Sequence, residues 1–177
     1  MMAFCTLPVA DLLTSIMRCT TEVAIHRNHL RTSEMVEQKA GGCVCGALRY
    51  LVTTDPMRVT ICHCKWCQRR TGSAFGVEAV FDKGSVTITG QSIQFHRHVS
   101  DLSGHWVEQS FCSRCGSNIG LTLEAVPGIR TIAAGTFDDP SWIDRKLHHF
   151  RYVFTRSAQD WSEIPEGVER YEMHFRV

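Results

Sequence analysis

The chain has 177 residues, enough for one domain with a real core, and its 19 basic and 18 acidic residues leave a formal net charge of +1. That balance gives no electrostatic reason to expect nucleic acid or an acidic membrane as partner, and no apolar run approaches the roughly 20 residues that span a bilayer. The composition stands out in one respect: nine cysteines, most of them clustered.

Taken in chain order, the first stretch differs from the rest. Leu12, Leu13, Ile16 and Met17 recur at helical spacing, which predicts a short amphipathic helix over Asp11 to Arg18. No basic leader precedes it, so neither a signal nor a transit peptide is expected, the setting is expected to be cytoplasmic, and Met35 is an alternative start. Residues 1–38 are read as an N-terminal extension, in which Cys5 and Cys19 lack ligand neighbours and read as free thiols.

From Gly41 onward the pattern is that of strands. Leu48 to Thr53, Phe75 to Phe81, Val86 and Ile88, Ile93 and Phe95, Trp106 to Phe111, Asn118 to Leu123 and Arg130 to Ala134 are short apolar or alternating runs separated by glycine. At a spacing of roughly ten residues, such runs predict an all-β, mainly antiparallel domain. Lys65 to Ser73 is the best place for a helical turn, and Leu147 to Phe154 reads as the final strand. One domain over 39–177 is the simplest division.

Seven cysteines fall in three groups: Cys43-Val44-Cys45, Cys62-His63-Cys64-Lys65-Trp66-Cys67 and Cys112-Ser113-Arg114-Cys115. A disulfide framework fits poorly, because the total is odd and the close pairs suit metal ligation better than long cross-links. In extended chain, residues i and i+2 face together, so Cys43 pairs with Cys45 and Cys62 with Cys64, while Val44 and His63 face away. Cys112 to Gly116 has the form of a knuckle turn, its glycine free to take a left-handed backbone. Cys43, Cys45, Cys112 and Cys115 then make one closed four-cysteine zinc site, with iron as the alternative metal. Cys62, Cys64 and Cys67 remain as three ligands with an open fourth position, the form of a catalytic zinc. Two alternatives stay open here: closure of that site by His96, His98 or His105, and for Arg69 and Arg70 either an anion-binding role or a solvated face.

The three motifs Gly41 to Tyr50, Cys62 to Phe75 and Phe111 to Ser117, together with Gly135 to Pro140, His148, His149 and Trp161, resemble the glutathione-dependent formaldehyde-activating enzyme family, which includes centromere protein V. The resemblance runs from about Gly41 to Tyr171. It implies a small zinc-stabilised β-tent fold, a four-cysteine zinc site at Cys43, Cys45, Cys112 and Cys115, and a second zinc at Cys62, Cys64 and Cys67 where glutathione binds. It also implies a carbon–sulfur lyase that forms or cleaves S-hydroxymethylglutathione or a related thiol adduct. Zinc at three thiolates has little positive charge left, which favours activating a sulfur over strong Lewis acidity, and nearby cations would help. Lys65, Arg69 and Arg70 are the candidates for that role and for pairing with glutathione carboxylates, with Thr71, Gly72 and Ser73 as further donors. The competing reading is a non-catalytic zinc-stabilised binding or thiol-sensing module.

Overall fold

The computed structural model describes residues 38–174. The helix expected over Asp11 to Arg18 and the thiols Cys5 and Cys19 lie outside the described residues. The described chain is built from eleven strands in three sheets.

The first sheet joins β1 (Lys39–Gly42), β2 (Arg49–Val52) and β5 (Val86–Thr89), all antiparallel. Gly41 faces Tyr50 across β1 and β2, and a Cβ there would sit 2.2 Å from the Tyr50 hydroxyl oxygen. The missing side chain lets the tyrosine cross the strand and meet Thr136 at 2.9 Å. The apolar face of this sheet buries Leu48, Val52 and Tyr50 against Phe81, Ile119, Ile132 and Phe137, and Cys43 and Cys112 belong to the same core. Each large apolar side chain fully buried there contributes about 1.5–3 kcal/mol.

The second sheet has the order β11 (Glu169–Arg170), β10 (Phe150–Val153), β3 (Arg58–Cys62), β4 (Gly76–Asp82) and β9 (Ile129–Ala133). β3, β4 and β9 are antiparallel, whereas β10 runs parallel to both β3 and β11. The sheet is therefore mixed in a mainly antiparallel fold. β10 falls inside the stretch expected to hold the last strand, but it is not last. The two residues of β11 follow it, too few to leave any periodicity in the sequence.

The third sheet joins β6 (Ile93–Val99), β7 (Trp106–Cys112) and β8 (Asn118–Leu123), antiparallel with a register shift at Ser110/Phe111. β8 lies hard against β9. A Cβ on Gly120 would fall 1.9 Å from the Thr131 carbonyl oxygen, and the Leu121 N–H donates to the Thr131 hydroxyl at 2.9 Å. Only glycine permits that approach, which brings the turn after β7 close to β4 and β9.

The single α-helix among the described residues, α1 (Lys65–Thr71), occupies the expected place. Cys64 caps its start and Gly72, with φ 64°, ends it in the left-handed region. The buried Gln68 side chain donates to the His63 carbonyl at 2.6 Å and the Ser157 carbonyl at 2.8 Å, which moors the helix to the loop after β10. No helix among the described residues is long and apolar enough to cross a membrane.

Candidate metal centres

The first cluster is assembled by two tight turns. Cys43 leaves the end of β1, and the Gly46 N–H donates back to its carbonyl at 3.0 Å, with Gly46 at φ 74°. Cys112 ends β7, the Gly116 N–H donates to its carbonyl at 2.8 Å, and Gly116 sits at φ 73°. In both turns the glycine takes the left-handed backbone that folds a chain back over its own sulfurs. The sulfurs of Cys43, Cys45, Cys112 and Cys115 all lie within 4.8 Å of one another. Cys43 and Cys45 are 3.5 Å apart, and Cys45 and Cys112 3.8 Å. Zinc–sulfur bonds of about 2.3 Å in a tetrahedron require sulfurs about 3.8 Å apart, so this donor set fits a closed four-thiolate site. Val44 points out to solvent, 87% exposed, as the i, i+2 argument requires.

Ser117, which the sequence reading missed as a contributor here, joins the two turns. Its hydroxyl accepts from the Val44 N–H at 3.2 Å and lies 3.3 Å from the Cys115 sulfur. That hydroxyl, then the Ser117 N–H, lowers the Cys115 thiol to about 6. Burial raises Cys43, but the Leu48 N–H and the Cys45 and Cys112 thiols outweigh it and its pKa is lowered. At Cys45 the Ala47 N–H pulls down, yet the neighbouring Cys115 and Cys43 sulfurs win and push it up to about 11. A divalent metal at these sulfurs would displace the protons of the thiols.

The second cluster comes from one short segment. Cys62 ends β3, Cys64 caps α1 and Cys67 lies in its first turn, with their sulfurs within 4.8 Å of one another. The Cys67 N–H donates to the Cys64 sulfur at 3.3 Å. Contacts from the Cys62 and Cys67 thiols bring Cys64 down to about 2, and contact with Cys64 raises Cys62 strongly. Cys67 is lowered by Cys62 but raised more by Cys64 and by burial, to about 12. Three sulfurs this close form a donor set that could hold a metal ion.

Among the described residues no histidine nitrogen joins this group. His63 is 1% exposed and packs between the Phe75 and Tyr152 rings. His98 stacks on Trp66 at 5.1 Å, and His96 and His105 are exposed. The cluster therefore offers three protein ligands.

Arg70 is the cation beside it. Its guanidinium donates to the Cys67 sulfur at 3.7 Å and to Glu78, and it lies 5.2 Å from the Trp66 ring centre. The Arg70 and Glu78 side chains are only 3% and 5% exposed, and Glu78 also accepts from the Thr131 hydroxyl. Burial works against the charge on Arg70, but Glu78 and Cys67 outweigh it and raise its pKa. Of the two readings left open for Arg70, a solvated face is excluded. Arg69 and Lys65 are exposed, the latter 3.5 Å from the Gln68 carbonyl-type side-chain oxygen. The Thr71 hydroxyl donates to the Cys67 carbonyl at 2.7 Å, and the exposed Gly72 and Ser73 form the helix end.

A cleft of about 440 Å³ lies between α1 and the knuckle turn. Arg70 and Thr71 line it on one side, Cys115 to Asn118 on the other, with Val77, Glu78 and Ala133 to Thr136 as its floor. It meets the first cluster at Cys115 directly and the second through Arg70. A second, apolar groove of about 360 Å³ shares Val77, Ala134 and Gly135 with it.

A solved structure of a Rhodobacter sphaeroides protein, a structural genomics target, is similar over 64% of this chain and 99% of its own, with 16% identity and a TM-score of 0.48. The sequence pattern of the family described as glutathione-dependent formaldehyde-activating enzyme matches residues 38–155, which contain all seven clustered cysteines, Arg70 and the turns that position them. This chain belongs to the glutathione-dependent formaldehyde-activating enzyme family.

Proposed function

We propose that this protein is a zinc-dependent carbon–sulfur lyase that forms or cleaves S-hydroxymethylglutathione or a related thiol adduct. The observation that carries the reading is the Cys62, Cys64 and Cys67 set: three sulfurs within 4.8 Å, no fourth protein ligand among the described residues, and a buried arginine in contact. The four-cysteine set is then structural zinc and the domain is 39–177, with glutathione as the partner thiol in a cytoplasmic setting. A zinc ion held by Cys62, Cys64 and Cys67 would supply a position at which an incoming thiol is kept as its thiolate.

The chain's own residues have distinct tasks in this reading. Arg70 offsets the negative charge of the crowded sulfurs, and Glu78 holds its guanidinium in place. The Trp66 ring covers Arg70 and keeps water from it. The exposed Lys65 and Arg69 are the cations offered to the carboxylates of glutathione. The reaction itself needs no further reagent: the sulfur bonds to the aldehyde carbon, and the carbonyl oxygen takes up the proton the thiol gives.

One observation favours the second reading, a non-catalytic thiol-binding module. None of Cys62, Cys64 and Cys67 lines the cleft, and Cys62 and Cys67 are buried. Cys64→Ser separates the readings from a failed site. The variant is expected to keep the circular dichroism of the wild type, because its metal cross-links only a few residues. It should lose one zinc per chain by elemental analysis, and its glutathione affinity by calorimetry should fall more than tenfold. Glutathione binding equal to that of the wild type would refute the site.

A further inference from the structure

The three sulfurs of the second cluster ride on two rigid pieces of chain. Cys62 belongs to the sheet, where it lies across from Gly76 of β4 and Val153 of β10. β3 ends there, although the His63 N–H still donates to the Val153 carbonyl at 3.0 Å. Cys64 and Cys67 belong to the helix. The Cys67 N–H donates to the Cys64 sulfur at 3.3 Å and the Gln68 N–H to the Cys64 carbonyl at 3.0 Å, so the helix cap holds these two together. The chain passes from one piece to the other through His63 alone. Its backbone rotations, with those at the start of Cys64, set how far the Cys62 sulfur lies from the other two.

Gln68 spans that joint. Its side chain is buried, and its amide nitrogen donates to the carbonyl of His63, the joint residue itself, at 2.6 Å and to the Ser157 carbonyl at 2.8 Å. Its amide oxygen accepts from the Gln159 side chain at 2.8 Å and faces the Lys65 ammonium at 3.5 Å. The reverse orientation would turn that oxygen toward two carbonyl oxygens, so the network fixes the amide one way round. Arg70 and Thr71 also tie the helix down, to Glu78 and to the Phe75 carbonyl, but they act at its far end. Of these three ties only Gln68 reaches the residue between Cys62 and Cys64. We propose that Gln68 is a positioning residue for the metal, locking the joint so that the three sulfurs stand at chelating separation before the ion arrives. This rests on the reading of Cys62, Cys64 and Cys67 as an open metal site. A donor set held ready loses less chain freedom on coordination. Groups that orient metal ligands without touching the metal typically change its affinity by about 10–100-fold.

Gln68→Met is the test, because methionine is close to glutamine in length and leaves the His63 carbonyl without its donor. Gln159→Leu is the control: it removes a bond to the same amide on the side away from the joint. Full-length protein carrying one zinc per chain is titrated with Co(II), whose sulfur-to-metal charge-transfer absorption reports thiolate ligation. Gln68→Met should bind this second metal about 10–100-fold more weakly than the wild type. Its absorption at saturation should differ in position or intensity, with the circular dichroism of the wild type retained. Gln159→Leu should keep the wild-type affinity and spectrum. A Gln68 that only packs the helix would lower the melting temperature of both variants and leave the cobalt affinity and spectrum alone, and that result would overturn the inference. A measurement without substitution covers a Gln68→Met that fails to fold. In the wild type with its second site unloaded, NMR should show the Gln68 side-chain amide protons slow to exchange, and protons exchanging like those of an exposed glutamine would overturn the preformed joint. A wild type that takes up no second metal loses the three-sulfur site and this inference together. One that holds a second metal indifferent to the loss of Gln68 loses only this inference.

Discussion

Cys112→Ser is expected to abolish folding of the β-domain. Cys112 is 0% exposed and belongs both to the four-sulfur cluster and to the main hydrophobic core. Two of its three partners, Cys43 and Cys45, come from the turn after β1, far away in sequence, so a metal here closes a long loop as well as a coordination shell. Structural zinc at such sites contributes about 10–16 kcal/mol of apparent binding free energy, which folding inherits. Net stabilities of domains are only about 5–15 kcal/mol, so loss of this site exceeds what the rest can hold. Serine also leaves a hydroxyl in an apolar surrounding. Circular dichroism and size-exclusion chromatography of the variant should show an unfolded or aggregated chain with no retained structural zinc. A soluble variant with the wild-type melting temperature would contradict the assignment.

Glu78→Ala should be the next most damaging change, and it tests the electrostatics around the second cluster. Glu78 is the counter-ion of Arg70 and an acceptor for Thr131, and all three are buried or nearly so. Removing one partner of such a pair strands the other charge in a low-dielectric interior, at a cost of about 3–5 kcal/mol. Replacing both at once, Arg70→Met with Glu78→Leu, removes the charges together and should recover most of that loss, to within about 1–2 kcal/mol of the wild type. Chemical denaturation of the wild type, Arg70→Met, Glu78→Leu and the double variant gives the cycle, with Glu78→Ala measured beside it. Stability alone does not capture the role of Arg70, however. Its guanidinium touches the Cys67 sulfur, so the recovered double variant should hold its second zinc more weakly than the wild type in a chelator competition. A double variant as metal-tight as the wild type would confine Arg70 to packing.

These expectations show which features could be read from the sequence and which could not. β8 was legible because Asn118 to Leu123 is a short apolar run between turn residues, and the structure places the strand at those residues. The cysteine groups were legible because ligands two or three residues apart can be brought onto one metal by a local turn or a capped helix start, without help from the distant fold. The division into four and three also follows from spacing, with two glycine-ended turns meeting and one capped helix left over. What depends on distant contacts left no local mark. Nothing near Phe150 announces that β10 enters the sheet parallel to β3, because that pairing joins residues some ninety positions apart. Glu78 sits in an apolar alternation as if solvent-facing, and only the arrival of Arg70 from α1 and Thr131 from β9 explains its burial. Ser117 reads as an ordinary turn residue until the Val44 N–H is found on its hydroxyl. The groove at Gly135 is defined by atoms that are not there, which no sequence pattern records.

The proposed activity competes with a spontaneous reaction between formaldehyde and thiols, so product formation alone is a poor criterion. Exchange spectroscopy by NMR, with labelled formaldehyde and glutathione at equilibrium, measures formation and cleavage of the adduct directly. Zinc-loaded wild-type protein is predicted to raise the exchange rate above the protein-free value in proportion to its concentration, and Cys64→Ser, folded but lacking the three-sulfur site, to leave it at the protein-free value. An exchange rate that is the same with wild type, with Cys64→Ser and without protein would contradict the lyase account and leave a zinc-stabilised binding module in its place.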